Sequence, residues 1–337
     1  MPKRVGNLML RIASLENLHE AFLRAARGKQ DKQAVIDFRS HLDENLLLIQ
    51  RQLLDGSFQF GHYQFFVVHD PKRRTICAAS FPERVVFHAM MRICHPVFDN
   101  YQVFDSYASR VGKGAYKALD RACHFARRYE WFAKIDACKY FDSISHGVLL
   151  SQLSRLFKDP QLLIYFRNLL DTYQTSPGRG LPIGNLTSQY FANHYLSVAD
   201  HWLKEELHVP AMVRYMDDVL ILSHSRKELL SWVEKYNSYL RRQLLLDVHQ
   251  PVVNRVKFGI PFLGYVVYPD CLRLNRRSKL RYEAKMKELT ALAGLGDMSD
   301  HDYAERALCL TAFVRKAKTD GLRRSLSAKP GVYLQGL

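Results

Sequence analysis

The chain has 337 residues, 47% hydrophobic and 24% charged, the balance of an ordinary soluble protein long enough to bury a large core. Forty-nine Lys and Arg against 33 Asp and Glu leave a formal charge of +16, which favours a polyanionic partner, nucleic acid first, and binding that weakens as salt rises. No run approaches the roughly 18 apolar residues of a membrane span, no signal-peptide core follows Met1-Pro2-Lys3-Arg4, and six scattered cysteines (Cys77, Cys94, Cys123, Cys138, Cys271, Cys309) form no Cys-x-x-Cys.

A cytoplasmic protein with reduced thiols, no membrane partner and no zinc ribbon is therefore expected. Over residues 7–55 apolar positions recur at helical spacing, first Leu8, Ile12 and Leu15, later Leu46, Leu47, Ile49 and Leu53, until Asp55-Gly56-Ser57 signals a stop. Residues 58–68 are aromatic and β-branched and predict strands, leading to the basic hairpin segment Lys72-Arg73-Arg74-Thr75-Ile76. Residues 81–98 and 113–130 are predicted helices. Between them a glycine-containing basic loop places Arg110 and Lys113 where they would meet phosphates.

Residues 131–135 read as a short buried strand that ends at Asp136. Ser143 and Ser145 then introduce an amphipathic helix carrying Leu149, Leu153 and Leu156, within a helical stretch at 147–173. The loop Gly180-Leu181-Pro182-Ile183-Gly184-Asn185-Leu186-Thr187-Ser188-Gln189 needs its glycines for close backbone approach, and a helix over 186–207 overlaps its end. His194, His201 and His208 recur at spacing seven without tight ligand spacing, so they read as a stripe on the helix surface.

Val213-Arg214-Tyr215-Met216-Asp217-Asp218-Val219-Leu220-Ile221-Leu222 sets two adjacent carboxylates between β-prone apolar runs, the pattern of a tight hairpin with acids at its tip. A helix at 227–245 is expected to pack behind it. Phe262-Leu263-Gly264-Tyr265 reads as a strand with a close-packed glycine, and a basic helical tail starts at Arg276 with a Gly-Leu-Gly break at 294–296. A carboxylate pair at a turn suits hard cations such as Mg²⁺. With Asp136 on a neighbouring strand end, the set would hold two ions about 3.5–4 Å apart, one activating a hydroxyl and one steadying a leaving pyrophosphate.

The order of these motifs (Asp136, the glycine-rich loop, Asp217-Asp218, then Phe262-Leu263-Gly264-Tyr265) resembles a reverse transcriptase. Lys72–Ile76, Phe81-Pro82-Glu83-Arg84-Val85-Val86 and the segment from Ser106 to Ala118 resemble the fingers motifs of that family, and the likeness runs from about residue 65 to 290. Ile183 stands where most of these enzymes carry Gln, and Ser188-Gln189 where many carry Ser-Pro. That form is similar to the enzymes of diversity-generating retroelements, which copy a template RNA into cDNA with frequent errors opposite adenine, the cDNA then replacing a variable region in a target gene.

The resemblance implies an α+β right-hand polymerase, with a helical extension at 1–57, interleaved fingers and palm at 58–267 and a basic helical thumb at 268–337. It implies Asp136, Asp217 and Asp218 as catalytic residues, and with Ala137 as the metal set for two Mg²⁺ ions, Mn²⁺ substituting. Lys72, Arg74, Phe141, Ile183, Gly184 and Gln189 would bind the nucleotide. Arg110, Lys113, Tyr215, Met216, Phe262, Leu263 and Gly264 would contact nucleic acid.

Phe141, five residues after Asp136, matches the position whose ring excludes a ribose 2′-OH and so selects dNTPs. Ile183 cannot make the hydrogen bonds of an amide, so discrimination between base pairs should suffer. Relatives often carry a Lys before the Phe-Leu-Gly motif as a proton donor to pyrophosphate; here His249, Lys257 or no group takes that place. Implied partners are template RNA, the RNA/cDNA hybrid, dNTPs and a small basic oligomeric accessory protein. The alternatives are a group II intron-type or retron-type reverse transcriptase, or a catalytically silent RNA-binding relative.

Overall fold

The computed structural model describes residues 3–69 and 73–327. Four helices open the chain: α1 (Met9–Ile12), α2 (Leu15–Ala26), α3 (Gln33–Ser40) and α4 (Leu42–Asp55). The Ser14 hydroxyl caps α2 by accepting the Asn17 N–H, and Leu18, Ala21, Phe22 and Ala25 form its buried stripe. α4 closes on Gly56 at φ +83°, the left-handed end that the Asp-Gly-Ser stop predicts.

The hairpin β1 (Tyr63–Val68) and β2 (Arg74–Ala79) pairs Val68 with Arg74. The strand expected from residue 58 begins only at Tyr63. Phe58 and Phe60 turn inward instead, Phe60 placing its ring 5.8 Å from Phe87 and 5.9 Å from Tyr165. Then come α5 (Phe81–Tyr101), with Pro82 in its first turn, and α6 (Ala115–Ala126). Buried Glu83 of α5 accepts the His62 backbone N–H at 2.8 Å and so ties the base of the hairpin to the helix.

The central sheet is assembled from β3 (Trp131–Asp136), then, beyond α7 (Tyr140–Ser143), α8 (His146–Leu156), α9 (Pro160–Asp171) and α10 (Leu186–His201), from β4 (Ala211–Tyr215) and β5 (Asp218–Ser223). After α11 (Arg226–Gln243), β6 (Val252–Arg255) completes the order β4-β5-β3-β6, antiparallel throughout. Side chains alternate across it. Ala133, Ile135, Met212, Val219 and Ile221 face the core shared with the helices at 146–201 and α11. Phe132, Ala211, Val213, Leu220 and Leu222 face a second core with α6. A small sheet, β7 (Ile260–Phe262), β8 (Tyr265–Val267) and β9 (Leu272–Leu274), extends that second core. α12 (Arg276–Gly294), α13 (Asp300–Arg315) and α14 (Asp320–Ser327) enclose a third around Tyr282, Met286 and Tyr303.

The helical stretch at 147–173 is two helices. Pro160 starts the second, and buried Asp159 caps it while also accepting the Leu8 and Met9 N–H groups at 2.8 and 3.2 Å. The helix expected to reach 207 changes to a π turn at 202–206, where Trp202 stacks on Tyr239 at 4.6 Å. The histidine stripe is not a surface feature. His194 is buried, 5.5 Å from the Phe98 ring and 5.1 Å from Tyr101; His201 reaches the Tyr101 carbonyl; His208 lies past the helix at φ +51°. Among the described residues no helix is long and apolar enough to cross a membrane.

Candidate active site

Sheet register alone gathers the acids. Asp136 at the end of β3 lies directly opposite Asp218 at the start of β5, and Tyr215 pairs with Asp218, leaving Met216 and Asp217 as a two-residue turn. Met216 takes φ +56°, a positive angle at the first turn position. Positions 132, 134 and 136 share one face of β3, so Lys134 extends beside Asp136, and its Nζ lies 3.2 Å from Asp218 Oδ2.

The negative charge here is only partly compensated. Burial pushes the Asp218 carboxyl up to about 7 against the pull of Lys134, with Asp136 and Asp217 adding to the rise. Asp217 is also held above the ordinary carboxylate range, by burial first and by Asp136, while Arg74 and Arg214 pull it down. Asp218 Oδ1 is buried with no hydrogen-bond partner among the described residues. An orphaned carboxylate oxygen within a cluster of acids is chemistry that a divalent cation completes.

The three acids are arranged openly. Among the described residues the trio of ligand atoms that converges within 4.8 Å is exposed His301, Asp302 and Glu305 on α13, whereas Lys134 draws Asp218 to itself. A cation that takes both Asp218 oxygens must displace the lysine, whereas Oδ1 alone is free of it. Ala137 pairs with Val248, but the bonds there are Cys138 N–H to Asp247 and His249 N–H to the Asp136 carbonyl. The Ala137 carbonyl takes part in neither bond.

The glycine-rich loop is clamped from both sides. Leu181 N–H donates to the Phe141 carbonyl and Gly180 N–H to that of Ile144, while the Ile183 carbonyl accepts the Cys77 N–H of β2 at 2.8 Å. Gly184 sits at φ +123°, where a Cβ would lie 2.8 Å from the Cys77 carbonyl oxygen, so only glycine fits. The loop thus joins β2, which carries exposed Arg74, to the segment bearing half-buried Phe141. Exposed Gln189 meets Ser109 at 3.5 Å on the first turn of α10. At the β7–β8 turn Leu263 and Gly264 take φ +49° and +87°, docked against Ser278 and Phe313.

Arg110, expected to meet template phosphates, is engaged within the protein. Its guanidinium is spent on Asp99 at 2.6 Å and on the Val103 and Ser106 carbonyls, a partner set the basic loop sequence does not reveal. Lys113 donates to the Phe104 carbonyl and lies 3.6 Å from that exposed ring, at the protein surface. Lys72 falls outside the described residues. His249 sits beside Asp136; Lys257 follows Arg255, which pairs with Trp131, and so lies past the opposite end of the sheet.

Two further residues belong to this site. Lys134 is the sole charge in the strand run Trp131–Ile135, and period two sets it on the face of Asp136. Arg214 is fully buried in β4 and donates to the Met216 carbonyl of the turn at 3.0 Å. A charge inside an otherwise apolar strand is the signal for both.

The family model described as Reverse transcriptase (RNA-dependent DNA polymerase) matches residues 69–267, more than half of the chain. The chain is 25% identical over 171 residues to the putative COX1/OXI3 intron 1 protein of Saccharomyces cerevisiae, a match covering 48% of this chain and 20% of that protein. It is 23% identical over 145 residues to nuclear intron maturase 2, mitochondrial, of Arabidopsis thaliana, covering 38% of this chain and 20% of that one. It spans about a fifth of the length of these relatives. Among solved structures, apo telomerase from Candida tropicalis truncated from its C-terminal domain aligns with TM-score 0.49 and 12% identity, over 64% of this chain and 55% of that one.

Proposed function

The chain belongs to the reverse transcriptase family, and from that premise we propose that it is the RNA-directed DNA polymerase of a diversity-generating retroelement, copying template RNA into cDNA with errors opposite adenine. The observation that carries the polymerase reading is the register of Asp136 against Asp218 with Asp217 in the adjoining turn. The retroelement reading rests on the sequence form around Ile183. On this reading we assign the segment 1–57 as the helical extension, 58–267 as the fingers and palm, and 268–337 as the thumb.

Asp136, Asp217, Asp218 and the Ala137 carbonyl would hold two Mg²⁺ ions, for which Mn²⁺ would substitute. When bound, such ions neutralise the phosphate in transfer and ease deprotonation of the primer hydroxyl. The rest is done by this chain. Arg74 on β2 faces the triphosphate, where a guanidinium gives charge-assisted bonds to phosphate oxygens. The Phe141 ring excludes a 2′-OH, and Ile183, Gly184 and Gln189 line the nascent base pair. Tyr215, Met216 and the Phe262–Gly264 turn position the primer end, and Lys113 lies on the template path. Template RNA and a small basic oligomeric accessory protein are the partners, in the cytoplasm.

The test is Mg²⁺-dependent cDNA synthesis by purified protein on an adenine-containing RNA template with sequenced products, supplemented with the template RNA and accessory protein. Asp217→Asn should lose activity by at least about 10²-fold. Errors concentrated opposite adenine support the retroelement reading, and Ile183→Gln should then lower them; faithful product moves the enzyme to the intron or retron class. An unchanged error spectrum in Ile183→Gln removes residue 183 as the cause.

A further inference from the structure

Arg214 is the largest fully buried side chain among the described residues, and it lies directly beneath the Met216-Asp217 turn. Its guanidinium spends every N–H donor on protein acceptors. Nε reaches both Asp200 oxygens at 2.9 and 2.7 Å, and Nη2 bonds Gln102 Oε1 at 3.0 Å and the Asn193 carbonyl at 3.1 Å. Nη1 bonds Asn193 Oδ1 at 2.8 Å and the Met216 carbonyl at 3.0 Å. The scaffold behind it is equally committed. Asn193 Nδ2 donates to the Ala108 carbonyl, Ser106 Oγ to Gln102, and the Arg214 backbone bonds both Asp105 and Tyr107.

Burial opposes the Arg214 charge, and the Asp200 carboxylate more than offsets it, so the guanidinium stays ionised. A buried ion pair is a poor means of stabilising a core, since apolar residues of similar volume do as well or better. What an apolar pair cannot do is grip a backbone carbonyl. Here the gripped carbonyl belongs to a non-glycine residue at φ +56°, one position before Asp217, a backbone state that must be held from outside.

We propose that Arg214, braced by Asp200, Asn193 and Gln102, is the positioning residue of the catalytic turn: by holding the Met216 carbonyl it sets where Asp217 projects, and through that the affinity for the divalent ion. This rests on the polymerase reading above. The four residues come from α10, β4 and the position just after α5, so the strut also couples the acids to the 105–108 segment.

The test pairs two variants with two readouts. Arg214→Met/Asp200→Leu removes both charges together and keeps apolar volume. Asn193→Ala is gentler, removing the acceptor that aligns Nη1. Mn²⁺ binding to the protein without nucleic acid is followed by electron paramagnetic resonance, and kcat and dNTP KM by primer extension. Expected is a metal affinity weaker by about 10–100-fold in the double variant and about 3–10-fold in Asn193→Ala, with kcat falling and dNTP KM within about 3-fold. Circular dichroism and Tm certify which variants fold. A folded variant of either kind with wild-type Mn²⁺ affinity and kcat overturns the proposal and leaves Arg214 a core residue. Wild-type protein that binds no Mn²⁺ and extends no primer instead overturns the polymerase reading itself.

Discussion

Lys134 acts on Asp218 in two opposed ways. Its Nζ, 3.2 Å from Oδ2, sets a competing cation on the carboxylate a metal would use, yet the same charge favours ionisation of a carboxyl that burial has pushed up to about 7. Removing it frees the oxygen but raises the carboxyl further. Lys134→Met is therefore expected to bind Mn²⁺ a few-fold more tightly at alkaline pH, once Asp218 is ionised, and a few-fold more weakly below about pH 7, where the carboxyl without its lysine holds its proton more firmly. Calorimetric titration across that range should show the two affinity curves crossing. Parallel curves would mean that Lys134 only competes, or only tunes, and the opposed action fails.

At the scale of elements, the joint that matters is the glycine-rich loop seated on β2. Gly184→Ala meets both a positive φ and the Cys77 carbonyl at 2.8 Å, so the loop must lift from the strand that carries Arg74. Its expected signature is a dNTP KM raised at least about 10-fold in primer extension, with Tm lowered by a few degrees. Gly147→Ala, at an exposed position of α8, meets nothing within 4 Å and should instead stabilise by about 0.5–1 kcal/mol in urea unfolding, which separates a joint from a mere helix glycine. The carboxylate hairpin was legible because alternation and a two-residue turn are local patterns. Phe58 and Phe60 misled because aromatic residues signal strand and core equally, and only the tertiary fold gives them Phe87 and Tyr165 as neighbours. His194 misled for a related reason, and the ion pair of Arg110 was as hidden: a residue's partners across the fold, Phe98 for one and Asp99 for the other, leave no mark in its own segment. Lys134 and Arg214 did leave one, a charge inside an apolar strand.

For the molecule as a whole, acid is the sensitive direction. A chain already at +16 carries 14 histidines, and their protonation adds repulsion to the compact state. His194 contributes specifically, because burial pushes its imidazole down to about 3 from the ordinary 6.5. Between those values the unfolded chain binds a proton that the folded one refuses, so the His194 contribution is complete above pH 6.5 and is lost as pH falls toward 3. From about pH 6.5 to 4.5 that loss is roughly 2–3 kcal/mol. Asp218 has the opposite sign, its raised carboxyl relieving strain as pH falls, so the bare stability curve of the wild type mixes the two. His194→Phe keeps a ring between Phe98 and Tyr101 and leaves Asp218 untouched. Subtracting the two proteins' urea-unfolding free energies cancels the carboxylate and any pH-independent packing change. The variant should gain on the wild type by roughly 2–3 kcal/mol over that interval, and a difference that stays flat with pH would mean that His194 takes up its proton in the folded state.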